Sequence, residues 1–411
     1  MTDLLIRDLA QVATPAGAAG PLRGPGLRGV VVIEDAYILC RDGRVESVGR
    51  MGELTSDLAG GIQEIDGRGL CAIPGLVDCH THACFAGDRV NEFSLRAGGA
   101  SYEELHAAGG GILSTVRATR AAEEEELTRI TVRHRGWMRA HGTTTFEGKS
   151  GYGLDRDTEL SQLRAVRAAG GVPTWLGAHT VPPEFDGADA YVDFLLAEVL
   201  PQAATIAEAA DVFLERGSFD AAQSRRYLRA CAEAGLALRL HGDQFTESGA
   251  IELAVELEAR SVDHLEATGL EGVAILAASD VTGVLLPASA LFLGRPMPPA
   301  RALADAGGLI ALATDFNPGS AFCDSLPFVL SLACTQLHLA PEEALVAATA
   351  NAAHVLDRSG SIGRLRAGFA ADIVLLEAPD WRHVAYHLAG DVVHTVIEGG
   401  AVVFRRTAYS V

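Results

Sequence analysis

The stretch LVDCHTHACFAGDR, residues 76–89, ends an apolar run with two histidines that are one residue apart. Alternate residues of a β-strand point to the same face, so on a strand His80 and His82 project side by side with their ring nitrogens free to converge. This spacing suits a metal site, although a pair of hydrogen-bonded histidines on the surface or in the core would also explain it. Other residues of the chain must decide between the two interpretations.

Length and composition set the first limits. The chain has 411 residues, of which 48% are hydrophobic and 21% charged, and this is typical of a globular protein. A chain of this length is expected to form one large barrel with an appended domain, or two domains. The N-terminus lacks a basic segment followed by a sustained apolar run, and no run approaches about eighteen apolar residues, so neither export nor a membrane span is expected.

Charge and cysteine content exclude further classes. The formal net charge is -20, so the average surface would repel a nucleic-acid backbone, while a local basic pocket for a small anion remains compatible. The seven cysteines are an odd number without a Cys-x-x-Cys pair. They indicate reduced, mostly buried thiols in a cytoplasmic protein, with disulfides or a zinc knuckle as the alternative.

The two ends of the chain share a strand-like character. Short β-branched runs separated by turns, such as GVVVIEDAYILC and GRVESVGR, occupy the first seventy residues, and GFAADIVLLEAP and VVHTVIEGGAVVF lie near the other end. We therefore predict that residues 1–72 and 366–411 build one small β-sandwich domain together. The Gly-, Pro- and Ala-rich segment 13–26 is predicted to be a flexible loop.

Between residues 73 and 365, eight buried-type runs alternate with amphipathic or Ala-rich helical patterns. The runs are IPGLVDCHTH, TTTFEGKS, VPTWLGAHT, ADVFLERG, LALRLHGD, SVDHLEA, VTGVLLPA and GLIALATD. Continuous apolar strands with helical crossovers indicate a parallel sheet covered on both faces, and eight of them close into a (β/α)8 barrel. The predicted class is α/β with a TIM-type barrel, and an open doubly wound sheet is the alternative.

In such barrels the functional side chains stand at the C-terminal ends of the strands. Those ends carry His80, His82, His179, Glu215, His241, His264 and Asp315. A random scatter of the 13 histidines would rarely place five there. Three imidazoles and one carboxylate suit zinc or iron with one position left open for water. His80, His82, His241 and Asp315 supply this set.

The other histidines that we considered fall in helical patterns or in the C-terminal segment. We assign them surface or packing roles: His106, His134, His338, His354, His383, His387 and His394.

Several motifs together resemble the amidohydrolase superfamily, whose terminal β-sandwich also fits. They are Pro74-Gly75, DCHTH, His241, His264 and the TD pair at 314–315. Over nearly its whole length the chain is similar to the imidazolonepropionase family of histidine breakdown within that superfamily. The closer resemblance rests on FAGDRVNEF, GGGILSTVRATR, KSGYGL, GAHTVPPE, LHGDQ, VDHLE and ATDFNPGS.

This resemblance implies one zinc or iron ion per chain on the four ligands named above. It also implies substrate contacts from Arg89, Tyr152, His179, Asn317, Gly319 and Ser320. The implied substrate is 4-imidazolone-5-propanoate, whose anionic tail suits the guanidinium of Arg89. Hydrolysis of its ring amide yields N-formimidoyl-L-glutamate, with Asp315 or His264 as proton acceptor and His264 suited to stabilising the oxyanion.

One position departs from the related aminohydrolases, in which a glutamate three residues after the strand-five histidine shuttles protons. Gln244 stands there and cannot titrate, which argues against a deaminase and leaves hydrogen bonding to the ring as its expected role.

Three alternatives stay open. The first is another cyclic amidohydrolase or a deaminase. The second is a binuclear site bridged by a carboxylated Lys149, which the pattern places after the second strand instead of the fourth. The third is a catalytically silent barrel that binds a small ligand. Ala- and Leu-rich helices on the barrel exterior are also compatible with a homodimer.

Overall fold

A computed structural model describes residues 3–55, 62–99 and 110–406. Within them the chain forms two sheets of eight strands each, together with the helices that cover the second sheet. His106 lies outside the described residues.

The first sheet begins with the N-terminal part of the chain. Its first five strands are β1 (Leu4–Pro15), β2 (Val30–Arg41), β3 (Arg44–Arg50), β4 (Gln63–Asp66) and β5 (Cys71–Pro74). Strands β1, β2 and β3 pair antiparallel in that order. Strand β1 also runs parallel to both β4 and β5, so β1 holds this half of the sheet together.

The second sheet is the barrel. Its strands are β6 (Leu76–Asp78), β7 (Thr143–Lys149), β8 (Val172–Ala178), β9 (Ala209–Leu214), β10 (Ala237–Gly242), β11 (Ser261–His264), β12 (Thr282–Leu285) and β13 (Leu309–Leu312). Each strand pairs in parallel with the next one along the chain. This order, with helical crossovers, confirms the predicted (β/α)8 barrel.

The first and last barrel strands are joined mainly just beyond their ends. The backbone N–H of Asp315 donates to the carbonyl of His80 at 3.1 Å, and that of His82 donates to the carbonyl of Phe316 at 2.9 Å. The hydroxyl of Thr314 adds a bond of 2.6 Å to the Asp78 carboxylate. The closure therefore brings residues 80–82 against residues 315–316.

The C-terminal part of the chain completes the first sheet with β14 (Ile373–Leu376), β15 (Val393–Glu398) and β16 (Ala401–Arg405). Strand β14 pairs antiparallel with β5, so the two ends of the chain meet in one separate sheet. This confirms that both termini build one β-unit beside the barrel. The division of the chain into domains at residues 72 and 365 stays a prediction.

Fifteen α-helices lie in the described residues. They are α1 (Val90–Ala97), α2 (Ile112–Ala121), α3 (Glu124–Ala140), α4 (Arg156–Ala168), α5 (Ala188–Phe194), α6 (Leu200–Ala203), α7 (Ala221–Glu233), α8 (Ala250–Glu256), α9 (Leu270–Ala277), α10 (Pro287–Leu293), α11 (Ala300–Asp305), α12 (Leu326–Thr335), α13 (Pro341–Val346), α14 (Ala352–Val355) and α15 (His383–Tyr386). π-helical turns at Leu195–Val199 and Ala347–Asn351 join two pairs of them, and 3-10 turns occupy Gly24–Arg28 and Met51–Glu53. None of the described helices has the length and apolar character that crossing a membrane requires.

Local sequence explains where the crossover helices begin. The carboxylate of Asp155 accepts the backbone N–H of Thr158 at the start of α4, and Asp220 accepts those of Ala222 and Gln223 at the start of α7. Such caps satisfy backbone donors that have no partner within the helix.

The segment 13–26 differs from its prediction as a flexible loop. The backbone N–H and C=O of Leu22 both bond to the side chain of Asn351 at 2.8 Å, and Arg364 donates to the carbonyl of Gly20 at 2.7 Å. The prediction was wrong because these partners lie more than three hundred positions away in the chain.

Candidate metal centre and active site

A cavity of about 410 Å³ opens at the C-terminal ends of the barrel strands. Most of the side chains predicted for the site line it: His82, Arg89, Tyr152, His179, His241, Gln244, His264, Asp315, Asn317, Gly319 and Ser320. His80 lies behind this lining and is completely buried. The barrel therefore brings the whole predicted set together around one cavity.

His80 and His82 follow β6 directly, and the backbone of Thr81 between them pairs with Phe316. The strand alternation therefore continues past Asp78 and points both imidazoles inward. The Nε2 atom of His80 lies 3.5 Å from Oδ1 of Asp315, and that of His82 lies 3.6 Å from the same oxygen. Asp315 thus faces both histidines across the line of barrel closure.

His241 completes the group from β10. Its Nε2 atom lies 3.3 Å from Nε2 of His82. Its Nδ1 atom lies 3.1 Å from a carboxylate oxygen of Asp211, and Nδ1 of His80 lies 2.6 Å from one of Asp263. When each Nδ1 donates its proton to its carboxylate, the Nε2 atoms of both rings carry lone pairs that point inward.

These donors fit a metal ion. Nε2 of His80 is a buried polar atom that has no hydrogen-bond partner among the described residues, and an ion would satisfy it. Two groups of three ligand atoms lie within 4.8 Å of one another among the described residues: His80, His82 and Asp315 in one, and His80, His241 and His264 in the other. His80 belongs to both groups, so His264 is within reach as a further ligand.

Burial keeps the histidines of this group in the neutral form that binds metal. It lowers the pKa of His80 and of His82 well below the usual range, and neighbouring cationic groups lower both further. It also lowers the pKa of His241 to about 4, although Asp211 opposes the shift. At neutral pH protons therefore compete weakly with a metal for these nitrogens.

His264 and Asp315 titrate differently from that group. Burial disfavours the cation of His264, but the carboxylate of Glu266, 3.3 Å away, together with Asp315 and Asp263 outweighs burial and raises the pKa to about 9. Burial raises the pKa of the Asp315 carboxyl to about 6, and His264 opposes this. Without a bound metal ion, these shifts therefore favour an imidazolium at His264 and a carboxylate at Asp315 at neutral pH.

The backbone is strained where the site residues leave their strands. Non-glycine residues with positive φ include His264 at 86°, Asp315 at 55° and Asp243 at 53°. Such conformations cost energy and persist where surrounding contacts enforce them, often at functional sites. On β11 the left-handed turn ends the strand alternation, so adjacent Asp263 and His264 both reach the site.

Three charged residues that the sequence analysis did not assign to the site lie beneath the histidines. They are Asp211, Asp263 and Lys149, and none of their side chains is exposed. Lys149 ends the second barrel strand, as the pattern indicated, and its Nζ is 2.7 Å from Asp211 and 3.0 Å from Glu147. The sequence contained one indication of this buried group. Glu147 and Lys149 are two residues apart on a strand, so their side chains point to the same face.

Arg89 lines the cavity, and the edge of its guanidinium formed by Nε and Nη2 is already paired with a carboxylate. Its Nε lies 2.8 Å from the carboxylate of Glu92, which also pairs with Nη2 and accepts the backbone N–H of Gly111 at 2.7 Å. The other terminal nitrogen, Nη1, lies against Gly319, where an added Cβ would come within 2.0 Å of it. Among the described residues Glu92 is the only hydrogen-bond partner of this guanidinium, so Nη1 and the second hydrogen of Nη2 can still receive an anion at the end-on edge.

Two loops hold the groups on the opposite side. Glu159 accepts the backbone N–H groups of Gly151, Gly153 and Leu154 and so shapes the loop that carries Tyr152. Nδ1 of His179 bonds to the carbonyl of Gly151 at 2.9 Å, which leaves its Nε2 for the cavity.

Glu215, at the end of the fourth strand, supports the loop that carries Gln244. Its carboxylate accepts the backbone N–H of Phe245 at 2.8 Å and that of Thr246 at 3.2 Å. This strand-end carboxylate therefore positions Gln244 and does not itself line the cavity.

Asn317 and Ser320 build the last loop of the site. The amide oxygen of Asn317 accepts the backbone N–H groups of Gly319 and Ser320, and its nitrogen donates to the carbonyl of Asp315 and to the hydroxyl of Ser320. That hydroxyl lies 3.4 Å from Asp315 Oδ2. In this structure the Asn317 amide is thus used to hold Asp315 in place.

Those histidines assigned to surface or packing roles that belong to the described residues lie outside the cavity lining. His134, for example, is buried in α3, bonds to the carbonyl of Ala83 at 2.7 Å and stacks on Phe85. Among the described residues, the two groups able to hold a metal include none of these histidines.

Comparison with known proteins adds independent evidence. A sequence model of the amidohydrolase family matches residues 71–403. The chain is 62% identical to an imidazolonepropionase of Rubrobacter xylanophilus over 98% of both chains, and 46% identical to one of Chloroflexus aggregans over 98% of both. Among solved structures, an Escherichia coli guanine deaminase has a TM-score of 0.70 at 15% identity, covering 99% of this chain and all of that one. A triazine hydrolase variant has a TM-score of 0.70 at 19% identity over 98% and 95%.

Proposed function

The chain belongs to the imidazolonepropionases of the amidohydrolase family and is a hydrolase of histidine degradation, and we propose that it works with a single metal ion. The proposed ligands are His80, His82, His241 and Asp315, and the proposed metal is zinc or iron. The reaction is hydrolysis of the ring amide of 4-imidazolone-5-propanoate to N-formimidoyl-L-glutamate.

One observation carries the metal proposal. Nε2 atoms of imidazoles from two distant strands meet at 3.3 Å beside the orphaned Nε2 of His80, and a carboxylate faces them. A cation placed between these nitrogens would accept their lone pairs and satisfy the Nε2 of His80. When bound, the metal supplies Lewis acidity and a hydroxide nucleophile near neutral pH.

The chain's own residues handle the protons. Asp315 is the proposed acceptor of the proton from the attacking water, since His264, with its pKa near 9, already carries a proton at neutral pH. The imidazolium of His264 is the proposed donor to the oxygen of the ring carbonyl as negative charge develops there. As the carbon–nitrogen bond breaks, the ring nitrogen takes up the proton held by Asp315, and the new carboxylic acid releases its remaining proton to solvent, while His264 keeps its own proton.

Binding is assigned to the rim of the cavity. The end-on edge of Arg89 is proposed to pair with the propanoate tail. Tyr152, His179 and Gln244 present a hydroxyl, an imidazole nitrogen and an amide, which are suited to orienting the ring. The loop of Asn317, Gly319 and Ser320 is proposed to close the site over the substrate beside Arg89. The expected homodimer and the cytoplasmic location stay predictions.

The protonation state of Lys149 argues against the binuclear alternative. A carboxylated lysine forms from a neutral amine, whereas the carboxylates of Asp211, Glu147 and Asp263 outweigh burial and raise the pKa of Lys149 above its usual value. The amine is therefore held as an ammonium.

The test is turnover of 4-imidazolone-5-propanoate by the metal-loaded protein, with the product identified by mass spectrometry. We expect N-formimidoyl-L-glutamate and loss of turnover after chelation. Release of ammonia from aminopurines, without turnover of the imidazolone, would instead assign the chain to the deaminases.

A further inference from the structure

The interior of this barrel is unusually charged below the cavity. Barrel interiors are commonly filled by layers of branched apolar side chains. Here five charged side chains, each at most 2% exposed, occupy inward positions on four strands: Glu147, Lys149, Asp211, Arg239 and Asp263. Isolated buried charges are costly, so such a group persists only when its members are paired.

Lys149 lies at the centre of this group. Its Nζ is 2.7 Å from Oδ2 of Asp211, 3.0 Å from Glu147 and 3.7 Å from Oδ2 of Asp263. Arg239 pairs instead with Glu147 and donates to Thr174 and to the carbonyl of Val355. The lysine is thus the cation that contacts both aspartates.

Each of those aspartates holds one histidine of the site. Asp211 accepts from Nδ1 of His241 at 3.1 Å and from its backbone N–H at 3.2 Å. Asp263 Oδ2, the oxygen nearer Lys149, lies 2.6 Å from Nδ1 of His80. One ammonium therefore connects two carboxylate–histidine pairs whose members belong to, or directly follow, four different barrel strands.

We propose that Lys149 is a positioning residue that orients His80 and His241 for metal binding by holding the carboxylates of Asp211 and Asp263. The inference rests on the metal site proposed above and deepens it. Partners behind a ligating histidine set its tautomer and ring direction, and their loss typically weakens metal affinity by about 10- to 100-fold. Lys149 acts one contact further out, on two ligands at once.

A double variant that keeps the net charge of the wild-type network, compared with a single-substitution control, isolates this role. Lys149→Met alone leaves three buried carboxylates with one cation and is liable to misfold. Glu147→Gln/Lys149→Met removes one carboxylate together with one cation, so the network keeps its balance of charge. Glu147→Gln is the matched control, because Glu147 contacts Lys149 while neither histidine of the pairs bonds to it.

The primary measurement is the Kd for Zn²⁺, obtained by competition with a chromogenic chelator on the wild-type chain, the control and the double variant. The second is the visible absorption spectrum of the Co²⁺-loaded proteins, which reports ligand geometry. Thermal unfolding of the metal-free proteins distinguishes the positioning role from a purely structural one. A purely structural role would lower Tm while leaving Kd and the spectrum unchanged.

We expect the double variant to bind Zn²⁺ about 10- to 100-fold more weakly than Glu147→Gln and to show an altered Co²⁺ spectrum. Equal Kd values and equal spectra for these two variants would overturn the inference. If the wild-type chain itself binds no Zn²⁺ or Co²⁺, the proposed metal site fails first, so the two failures are distinguishable.

Discussion

The Nε2 atoms of His82 and His241 lie 3.3 Å apart, although 159 positions separate the two residues in the chain. Nδ1 of His241 faces Asp211, so its Nε2 is left as an acceptor. Two ring nitrogens held this close, with Asp315 3.6 Å from that of His82, form a site prepared for a cation.

Removal of the metal should abolish turnover and destabilise the fold. A ligand present at about 1,000 times its Kd stabilises the native state by about 4 kcal/mol, so chelation should lower Tm, and zinc or iron should restore both properties. Elemental analysis is expected to approach one metal per chain. Two metals per chain at full occupancy, with density joining them through Lys149, would contradict the mononuclear site.

Asp315→Ala and His264→Asn should fail in different ways. Asp315→Ala removes a ligand and the proposed proton acceptor, so it should lose both metal affinity and nearly all turnover. His264→Asn should keep its metal and lose kcat by about 10²- to 10³-fold, the scale of a lost oxyanion donor. Metal content and kcat of both variants decide this, and metal loss in His264→Asn would make that residue a ligand.

The pH dependence follows from the two pKa values. Asp315 works as a carboxylate, so kcat/KM should fall as pH drops through its pKa, which is about 6 without metal and lower when a cation favours the charged form. His264 works as an imidazolium, so kcat/KM should fall again as pH rises through its pKa, which is about 9 without metal and lower when a cation disfavours the charged form. The alkaline limb should vanish in His264→Asn, and its persistence there would assign the limb to another group.

Arg89→Ala should act on recognition of the propanoate tail. Loss of a charge-assisted hydrogen bond costs about 1.5 to 3 kcal/mol, so kcat/KM for the natural substrate should fall by about 10- to 150-fold. Arg225→Ala, which removes a surface arginine paired with Glu256, is the control. The measurement is kcat/KM on the natural substrate and on an imidazolone that lacks the tail. Equal losses on both would mean that Arg89 is structural.

Gln244→Ala should weaken transition-state binding without affecting the metal. An unsatisfied polar partner costs about 1 to 3 kcal/mol, and since an amide does not titrate, the pH profile should keep its shape. Metal content and pH–rate profiles of the variant and the wild type make the comparison. Turnover lost as completely as in Asp315→Ala, with the metal retained, would mean that the proton path differs from the one proposed through Asp315.

The sequence by itself determined the barrel and the ring of groups at its mouth. Eight apolar runs with helical crossovers permit few topologies, and a side chain at the end of a parallel strand must stand at the C-terminal rim. His80, His241 and Asp315 were therefore predictable as neighbours from their positions in the pattern alone. The pairing of strands from both chain ends in one sheet was likewise predictable, because strands at both ends of a chain need partners.

Only the tertiary structure decided what stands behind those groups. Asp263 and His264 are adjacent on a strand and should face opposite ways, yet the left-handed turn at His264 brings both to the site. Lys149, Asp211 and Asp263 come from three strands, and their contacts depend on strand stagger and barrel closure, which the residue pattern of a single chain does not encode. Periodicity assigns a side chain to a face, whereas hydrogen bonds within that face depend on distances that packing alone sets.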